Sequence, residues 1–557
     1  MADKKYMNFM ETVRSEHSRF WFEKREALKQ YRNAYLTKWW KNKQLPSEMV
    51  RVEVAEGYAT VESYIASLFT KNPGVEIDCD EVTPEQKSAL RHVLNRWLVS
   101  QRTTIENLSR LALIYPQAFV KLYVDEKVEN PLERVKAKTI EPWSIILDTL
   151  ADSWEEQRYC GHVYWLTYTD AVKRFGLSQS WTPRPIVEYW DKKSPLDDDS
   201  IDGQDDLPQE FLFVEITELY DLVNDKIIFY SSDLKGGPKI IETIDRIQPR
   251  THNDQPLPPI APLYFASEPD RPLIGYSTLA RVYDQISEVN VLRTWWANSV
   301  RRDSRQFMFD KTRLDEDNLA KLTAGVDGAL VGIDGPVSDD IIRPLRVESI
   351  TSNHDRYLNY IDNDLRRGTM LAAFTQGVAQ NVSATEIQAL AQYTASELGR
   401  MARSRDGAIE AMAVLFLRMV RAEIDKPIVV SDGGDIHVLD VDVFEKKIIV
   451  GALDSAQTPI SKALKQDRML MLAPQLLQLG TKPQHVLEEM VRLFDLPEQF
   501  AEVEQQDETG SMGVIPPGRA EAAVGNEGGD PNILAAENIA GGLPPGAPAG
   551  PPTVELE

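Results

Sequence analysis

Apolar residues recur at helical spacing over three N-terminal stretches of the chain, residues 5 to about 42, 53–70 and 84 to about 114. Intervals of three and four residues place these side chains on one face, which predicts three helices. The first helix is basic and aromatic, and its aromatic residues are Phe20, Trp21, Phe22, Tyr31, Tyr35, Trp39 and Trp40. A basic amphipathic helix can contact a membrane or nucleic acid. We favour an arm whose aromatic side chains pack on the body of the protein or on a neighbouring subunit.

The period then changes to that of β-strands. Short β-branched and aromatic runs occupy 118–124, 144–147 and 162–167. Residues 214–222 and 226–230 flank Asn224-Asp225, a turn pair typical of a hairpin. Residues 112–265 therefore predict an α+β body. Residues 191–206 form an acidic stretch inside it, which we interpret as a solvated loop.

Helical spacing returns after Pro272, where one face stays apolar through Leu279, Val282, Tyr283, Ile286, Val289, Trp296 and Val300. This predicts a helix of about 28 residues. Short strand-like pieces at 306–309 and 329–333 follow, and then a helix over 352–367.

The clearest helix begins at Ser383, because Ser383 and Glu386 form a capping box in which each side chain satisfies the other's backbone N–H. Its apolar stripe extends to about Ile424 and comprises Ile387, Leu390, Leu398, Met401, Ile409, Met412, Phe416 and Met419. Strands are predicted within 428–450, with alternation over 438–443, and two helices over 459–500. Beyond Gln505 the chain is rich in Gly, Pro and Ala, and we expect it to be disordered.

Composition narrows the classes of function. The net charge of −24 and the pI near 4.9 argue against tight binding of nucleic acid through its phosphates, although passing contact with DNA fits. Cys79 and Cys160 are the only cysteines, which excludes a disulfide framework and a CxxC zinc pair. The sequence has no apolar h-region near its start and no apolar run near 18 residues. We therefore expect that the chain is neither exported nor membrane-spanning.

Signatures of catalysis are missing from the sequence: it has no GxxxxGK[ST], no GxSxG and no HExxH. Asp198–Gly203 faintly resembles a calcium loop, but Gln209 stands where a bidentate Glu is needed. We therefore predict no catalytic residue, no metal ligand and no cofactor. The rival hypothesis is an enzyme whose site lies in the α+β body.

The order of elements from Arg271 to Thr385 resembles the portal protein of tailed bacteriophages, most closely that of short-tailed phages. The resemblance rests on Leu273-Ile-Gly-Tyr-Ser277, the long helix with Gln285 and Asn290, the strand-containing insertion, the second helix, and Thr375–Glu386. It extends to N-terminal pieces such as residues 140–148 and Val187–Trp190, and so to about nine tenths of the chain.

The resemblance implies a domain order, which we adopt as our expectation of an α+β portal-type subunit. The regions are an N-terminal arm and wing (1–272), stem helix 1 (273–304), a clip (305–350), stem helix 2 (351–371), a tunnel loop (372–384), a long helix with returning wing strands (385–454), crown helices (455–504) and the C-terminal tail (505–557).

The resemblance also implies partners. The chain would form a homododecameric ring at one capsid vertex of the virion, assembled in the host cytoplasm, through which double-stranded DNA is packaged and ejected. The ring would bind the large terminase, then the head-to-tail adaptor, and also the major capsid or scaffold protein, but no membrane. Twelve copies at −24 each carry about −290, which suits a channel that passes DNA without trapping it. Another virion part, such as a capsid or adaptor subunit, is a further alternative.

Two groups of candidate contact residues follow from this order. The tunnel loop offers the uncharged Gln376, Gly377, Gln380 and Asn381, which would line the channel unless the loop is a plain connector. Basic residues cluster where stem meets clip: Arg301, Arg302, Arg305, Lys311 and Arg313. They would contact DNA or a neighbouring subunit, or simply pair with nearby aspartates at a solvated helix end.

Overall fold

The computed structural model describes residues 2–41, 43, 49–176, 180–185, 212–303, 307–309, 316–317, 320, 342–344, 352–369, 384–432, 435–452, 469–470, 472–474, 486–487 and 490. The chain forms two compact units, Met1–Thr481 and Lys482–Glu557. The second unit contributes only residues 486–487 and 490 to the described part, so the architecture below is that of the first.

The fold is α+β, as the sequence predicts. Its helices are α1 (Ala2–Tyr35), α2 (Glu56–Leu68), α3 (Pro84–Ser100), α4 (Arg102–Ile114), α5 (Pro131–Arg134), α6 (Tyr168–Phe175), α7 (Tyr283–Asp303), α8 (Ser352–Thr369) and α9 (Ala384–Glu423). Short 3-10 helices occupy Pro142–Ser144, Leu279–Arg281 and Val441–Glu445.

The strands form several small antiparallel sheets. They are β1 (Val75–Asp78), β2 (Ala118–Val124), β3 (Val135–Ile140), β4 (Ile145–Leu147), β5 (Tyr159–Thr167), β6 (Arg184–Pro185), β7 (Leu212–Asp221), β8 (Lys226–Ser231), β9 (Lys239–Asp245), β10 (Ile260–Leu263), β11 (Ser267–Glu268), β12 (Arg271–Gly275), β13 (Phe307–Phe309), β14 (Ile342–Pro344), β15 (Ile428–Asp432), β16 (Asp435–Leu439) and β17 (Ile449–Ala452). The largest sheet has the order β4-β5-β7-β8-β9 with β6 beside β7, and a second has the order β10-β2-β3.

The main hydrophobic core joins α2, α3, α4 and α9 to the three-stranded sheet. The ring centroids of Trp97 on α3 and Phe416 on α9 lie 4.5 Å apart at its centre. The predicted stripe of α9 is confirmed from Leu398 onward, where its members are buried. Segments far apart in the sequence also meet here, because β1 pairs with β17, which places residues 75–78 beside residues 449–452.

The N-terminal arm packs mostly on its own chain. Met10 and Val13 of α1 pack on the large sheet, and Trp21 reaches the main core. The helix ends at Tyr35 and not near residue 42, so Trp39 and Trp40 follow it in a turn, both buried. Phe22 is the exception among these aromatics, with 73% of its surface exposed.

Two further sequence predictions are wrong at element boundaries. The helix predicted over 84–114 is interrupted at Gln101, whose backbone N–H bonds to the Trp97 and Leu98 carbonyls and whose side chain accepts from the Ala137 N–H. The alternation over 438–443 is not one strand, because β16 ends at Leu439 and Val441–Glu445 turns as a 3-10 helix that buries Val443 and Phe444.

Candidate functional site: the helix pair around residues 304–351

Helices α7 and α8 pack antiparallel. Leu365, late in α8, packs with Val282, just before α7, and with Ile286 near its start, whereas Ile361 packs with Val289 further along. Gly368 lies so close to Val282 that an added Cβ would stand 2.6 Å from its Cγ1 atom. Helix packing therefore leaves no space for a side chain at position 368.

The segment between these two helices contains two short strands that pair with each other. Phe307, Met308 and Phe309 of β13 pair with Pro344, Arg343 and Ile342 of β14. Paired strands lie about 5 Å apart, so the two ends of the insertion are held together. The predicted strand at 329–333 lies outside the described part of the chain.

A ladder of polar side chains fixes the other side of α7. Asn290, Thr294 and Asn298 stand four residues apart on one face and are largely buried. The backbone N–H groups of Val54, Val52 and Val50 donate to them at 2.9, 3.1 and 2.9 Å, respectively. Thr294 and Asn298 also donate back, to the carbonyls of Val52 (3.2 Å) and Val50 (2.9 Å).

The register of this ladder follows from two repeat lengths. Four helical residues advance about 6 Å, and two residues of an extended chain advance about 6.6 Å. The lengths nearly match, so alternate residues of 50–54 can pair with every fourth residue of α7. Trp40 covers the outer side of this segment, and its indole N–H donates to the Val52 carbonyl at 2.9 Å.

The remaining face of the helix pair exposes aromatic residues. Trp295 is 67% exposed and Tyr360 is 59% exposed. Glu288 and Trp295 are seven residues apart and so share a face of α7, and the hydroxyl of Tyr357 donates to Glu288. Tyr357 and Tyr360 share a face of α8 in the same way. We call Trp295, Tyr357 and Tyr360 the aromatic face.

Trp296 corrects a sequence prediction. It was expected on the buried stripe of the long helix, but it is 41% exposed. The helix begins at Tyr283, after the 3-10 turn Leu279–Arg281, and is shorter than the predicted 28 residues, with 21. The residues of α7 that pack on α8 lie in the N-terminal half of α7, so Trp296 lies beyond them.

The predicted contact residues fall mostly outside the described residues. Arg301 and Arg302 belong to the last turn of α7. Arg305, Lys311 and Arg313, the tunnel-loop residues Gln376, Gly377, Gln380 and Asn381, and the acidic stretch at 191–206 are not described. Helix α9 begins at Ala384, directly after Ser383, and contains Glu386. The capping box stays a prediction because Ser383 is not described.

The α+β body holds a buried cluster of ionisable groups around Glu218. Lys121 of β2 donates to Glu218 of β7 at 2.8 Å, which ties the smaller sheet to the larger one, and the Tyr220 hydroxyl also donates to Glu218. Burial pushes the pKa of Glu218 upward, but Lys121 and Tyr220 more than offset it, so the net pKa is lowered. Burial raises the pKa of the Cys160 thiol to about 12.

This cluster has a structural explanation. The Lys121 ammonium and the Glu218 carboxylate neutralise each other between two sheets, and a thiol with so high a pKa is a poor nucleophile at neutral pH. Within the part of the chain that the structure describes, no three His, Cys, Asp or Glu side chains converge as metal ligands. No described helix is long and apolar enough to cross a bilayer.

Comparison with known proteins assigns this chain to no family. The sequence matches no protein-family model and no curated protein. One solved structure, described as the neck of an empty GTA particle computed with C6 symmetry, is similar to 80% of this chain and 90% of its own, with 11% identity and a TM-score of 0.39.

Proposed function

We propose that this chain is a structural subunit of a bacteriophage portal, forming a ring at one capsid vertex through which DNA is packaged and ejected. The observation that carries the proposal is the helix pair α7–α8 around an insertion closed by β13 and β14, followed by the 40-residue helix α9. This is the stem, clip and wing-helix order that the sequence resemblance implies.

The aromatic face supports self-association. Trp295 and Tyr360 of this face are more than half exposed in the single chain, and contact of such apolar surface with water is unfavourable in free energy. An exposed apolar patch of this kind marks an interaction site. In a ring each copy presents its stem to two neighbours, so a second copy would bury this face. Polar anchoring of α7 by residues 50–54 would keep the stem rigid while it carries that contact.

The acidity of the chain fits the same role. At −24 per subunit, the ring repels a phosphate backbone. We further propose that the chain has no catalytic activity, because the ionisable cluster around Glu218 has a structural role. Hydrolysis of ATP by the purified chain, lost on Glu218→Gln, would contradict this part of the proposal.

Electron microscopy of the purified full-length protein tests the proposal directly. We expect closed rings of twelve copies with a central channel. Mass photometry that shows only monomers across protein and salt concentrations would contradict a portal and would favour an adaptor or capsid subunit.

A deletion tests the docking role of the clip. Removing residues 306–345 takes out both β13 and β14, whose ends are already adjacent, so the deletion should spare folding and ring formation. Rings without the insertion should fail to bind the packaging ATPase and the tail adaptor. Normal binding of both partners would show that the insertion is not the clip.

A further inference from the structure

An arginine-lined cavity of about 540 Å³ lies between the loop joining β9 to β10 and the C-terminal turns of α9. Its charged and polar lining includes Arg246, Arg250, His252, Asp254, Arg418, Arg421 and Glu445. Four guanidinium groups share one cavity in a chain whose net charge is −24. Neither the sequence patterns nor the stem explains this concentration of positive charge.

Carboxylates hold three of these arginines in place. Arg250 pairs with Asp225 at 2.8 Å and with Asp254 at 2.6 Å, and Arg246 shares Asp254 at 3.1 Å. The Nε atom of Arg421 donates to Glu445 at 2.7 Å. The guanidinium groups are therefore oriented before any ligand arrives, which lowers the entropy cost of binding.

Arg418 differs from the other three. Its two terminal nitrogens donate to backbone carbonyls, those of Phe444 at 2.7 Å and Lys446 at 2.9 Å. Among the described residues, no carboxylate lies within ion-pair distance of it. Burial lowers the pKa of Arg418, and the charge of Glu445 offsets this only in part. An anion in the cavity would bring a negative charge within ion-pair distance of Arg418.

Capping of the C-terminus of α9 explains only the positions of Arg418 and Arg421. Cations near a helix C-terminus interact favourably with its dipole, and Arg418 and Arg421 stand three residues apart near the end of α9. Arg246 and Arg250 belong to the loop between β9 and β10 and do not cap α9. Arg250 also donates to the Ile247 and Asp254 carbonyls and so braces that loop, whereas Arg246 contacts Asp254. With Asp225 included, four arginines face three carboxylates, which leaves an excess of positive charge.

We propose that this cavity binds a phosphate group, either as a free phosphate compound or as the phosphodiester of nucleic acid. Guanidinium groups offer paired N–H donors that match phosphate oxygens, and preoriented arginines are the usual recognition element for this chemistry. The proposal is independent of ring formation, since all its residues belong to one chain.

Two probes distinguish the sources of the phosphate. Inorganic pyrophosphate is titrated calorimetrically into the full-length protein, and a short DNA duplex is titrated by fluorescence anisotropy, both at fixed low salt. The test variant is Arg246→Gln with Arg421→Gln, which keeps hydrogen-bonding capacity while removing two charges. The matched control is Arg293→Gln, an exposed arginine on α7.

We expect the double variant to weaken binding at least tenfold, with the control unchanged and with melting temperatures that show both proteins folded. Arg418→Lys, which retains the charge, should weaken binding less than Arg418→Gln. Loss of pyrophosphate binding alone would assign a small-ligand site, and loss of duplex binding would assign a nucleic-acid backbone. Binding that the double variant leaves intact, no binding of either probe, or preference for an acidic peptide would overturn the proposal.

Discussion

Asn290 accepts a hydrogen bond from the backbone N–H of Val54 at 2.9 Å, while its own amide donates to the Ile286 carbonyl within α7 at 2.8 Å. One fully buried side chain thus satisfies a backbone donor that belongs to no helix or sheet. Thr294 and Asn298 likewise accept from the backbone N–H groups of Val52 and Val50. Helix α7 is thereby fixed to residues 50–54 by hydrogen bonds, in addition to apolar packing.

Asn290→Ala should destabilise the protein by about 1–3 kcal/mol, because it leaves the Val54 N–H buried and unpaired. Urea unfolding of the purified chain measures the difference. The matched control is Asn363→Ala, an exposed asparagine on α8, which should change the free energy of unfolding by less than about 0.5 kcal/mol. Equal effects from both variants would show that the ladder contributes nothing.

Gly275 tests the contact between β12 and the turn before β2. A Cβ at Gly275 would overlap the Pro116 carbonyl oxygen, so Gly275→Ala must displace backbone. We expect a loss of several kcal/mol or failure to fold. Gly407→Ala is the control, because nothing lies within 4 Å of an added Cβ there; in a helix it should raise stability by about 0.5–1 kcal/mol.

His17 makes stability depend on pH. Burial, and then the charge of Arg14, lower its pKa from 6.5 to about 3. Because the folded-state pKa lies below the unfolded one, the unfolded chain takes up a proton first as the pH falls. Stability from neutral His17 is complete above pH 6.5 and is lost below it at about 1.4 kcal/mol per pH unit.

Urea unfolding at pH 7 and pH 5 should therefore show a smaller loss for His17→Gln than for the wild type, by about 1–2 kcal/mol. The exposed His252 provides the control, since His252→Gln should follow the wild type. A wild-type-like loss in His17→Gln would show that this histidine does not limit acid stability.

The aromatic face should be required for rings. Trp295→Glu together with Tyr360→Glu places two charges where a neighbouring copy would pack, so mass photometry should show monomers in place of rings. Both residues are exposed in the single chain, and its free energy of unfolding should change by less than about 0.5 kcal/mol per site. Asn359→Glu, exposed on another face of α8, should leave rings intact; rings from the double variant would remove this face from the interface.

The tunnel loop offers the most direct test of DNA movement. Replacing Gln376, Gln380 and Asn381 by Ala should leave rings intact but weaken DNA retention or packaging. Replacing the same three by Lys should slow DNA movement in a way that salt relieves, since each added cation brings a phosphate contact. Normal packaging and ejection by both triple variants would place the loop away from the channel.

The sequence by itself determined the elements whose periodicity is strong and local. Strand β2 spans Ala118–Val124 as predicted, the hairpin of β7 and β8 turns at Asn224-Asp225, and α9 begins next to the predicted cap. Side chains that alternate or repeat at helical spacing must segregate to one face, and this requirement acts over a few residues. Helices α7 and α8 were predictable for the same reason.

Only the tertiary structure decided what those faces meet. Nothing in the sequence of residues 50–54 predicts a partner more than 230 positions away on α7, although the polar residues at 290, 294 and 298, spaced four apart on one face of that helix, were a readable signal. Arg405 is fully buried on α9, where it bonds to the Leu68 carbonyl and to Asp406, against the usual exposure of arginine. The four arginines of the cavity converge from two separate segments. Such contacts depend on how distant elements pack, because burial and charge pairing are properties of the assembled chain.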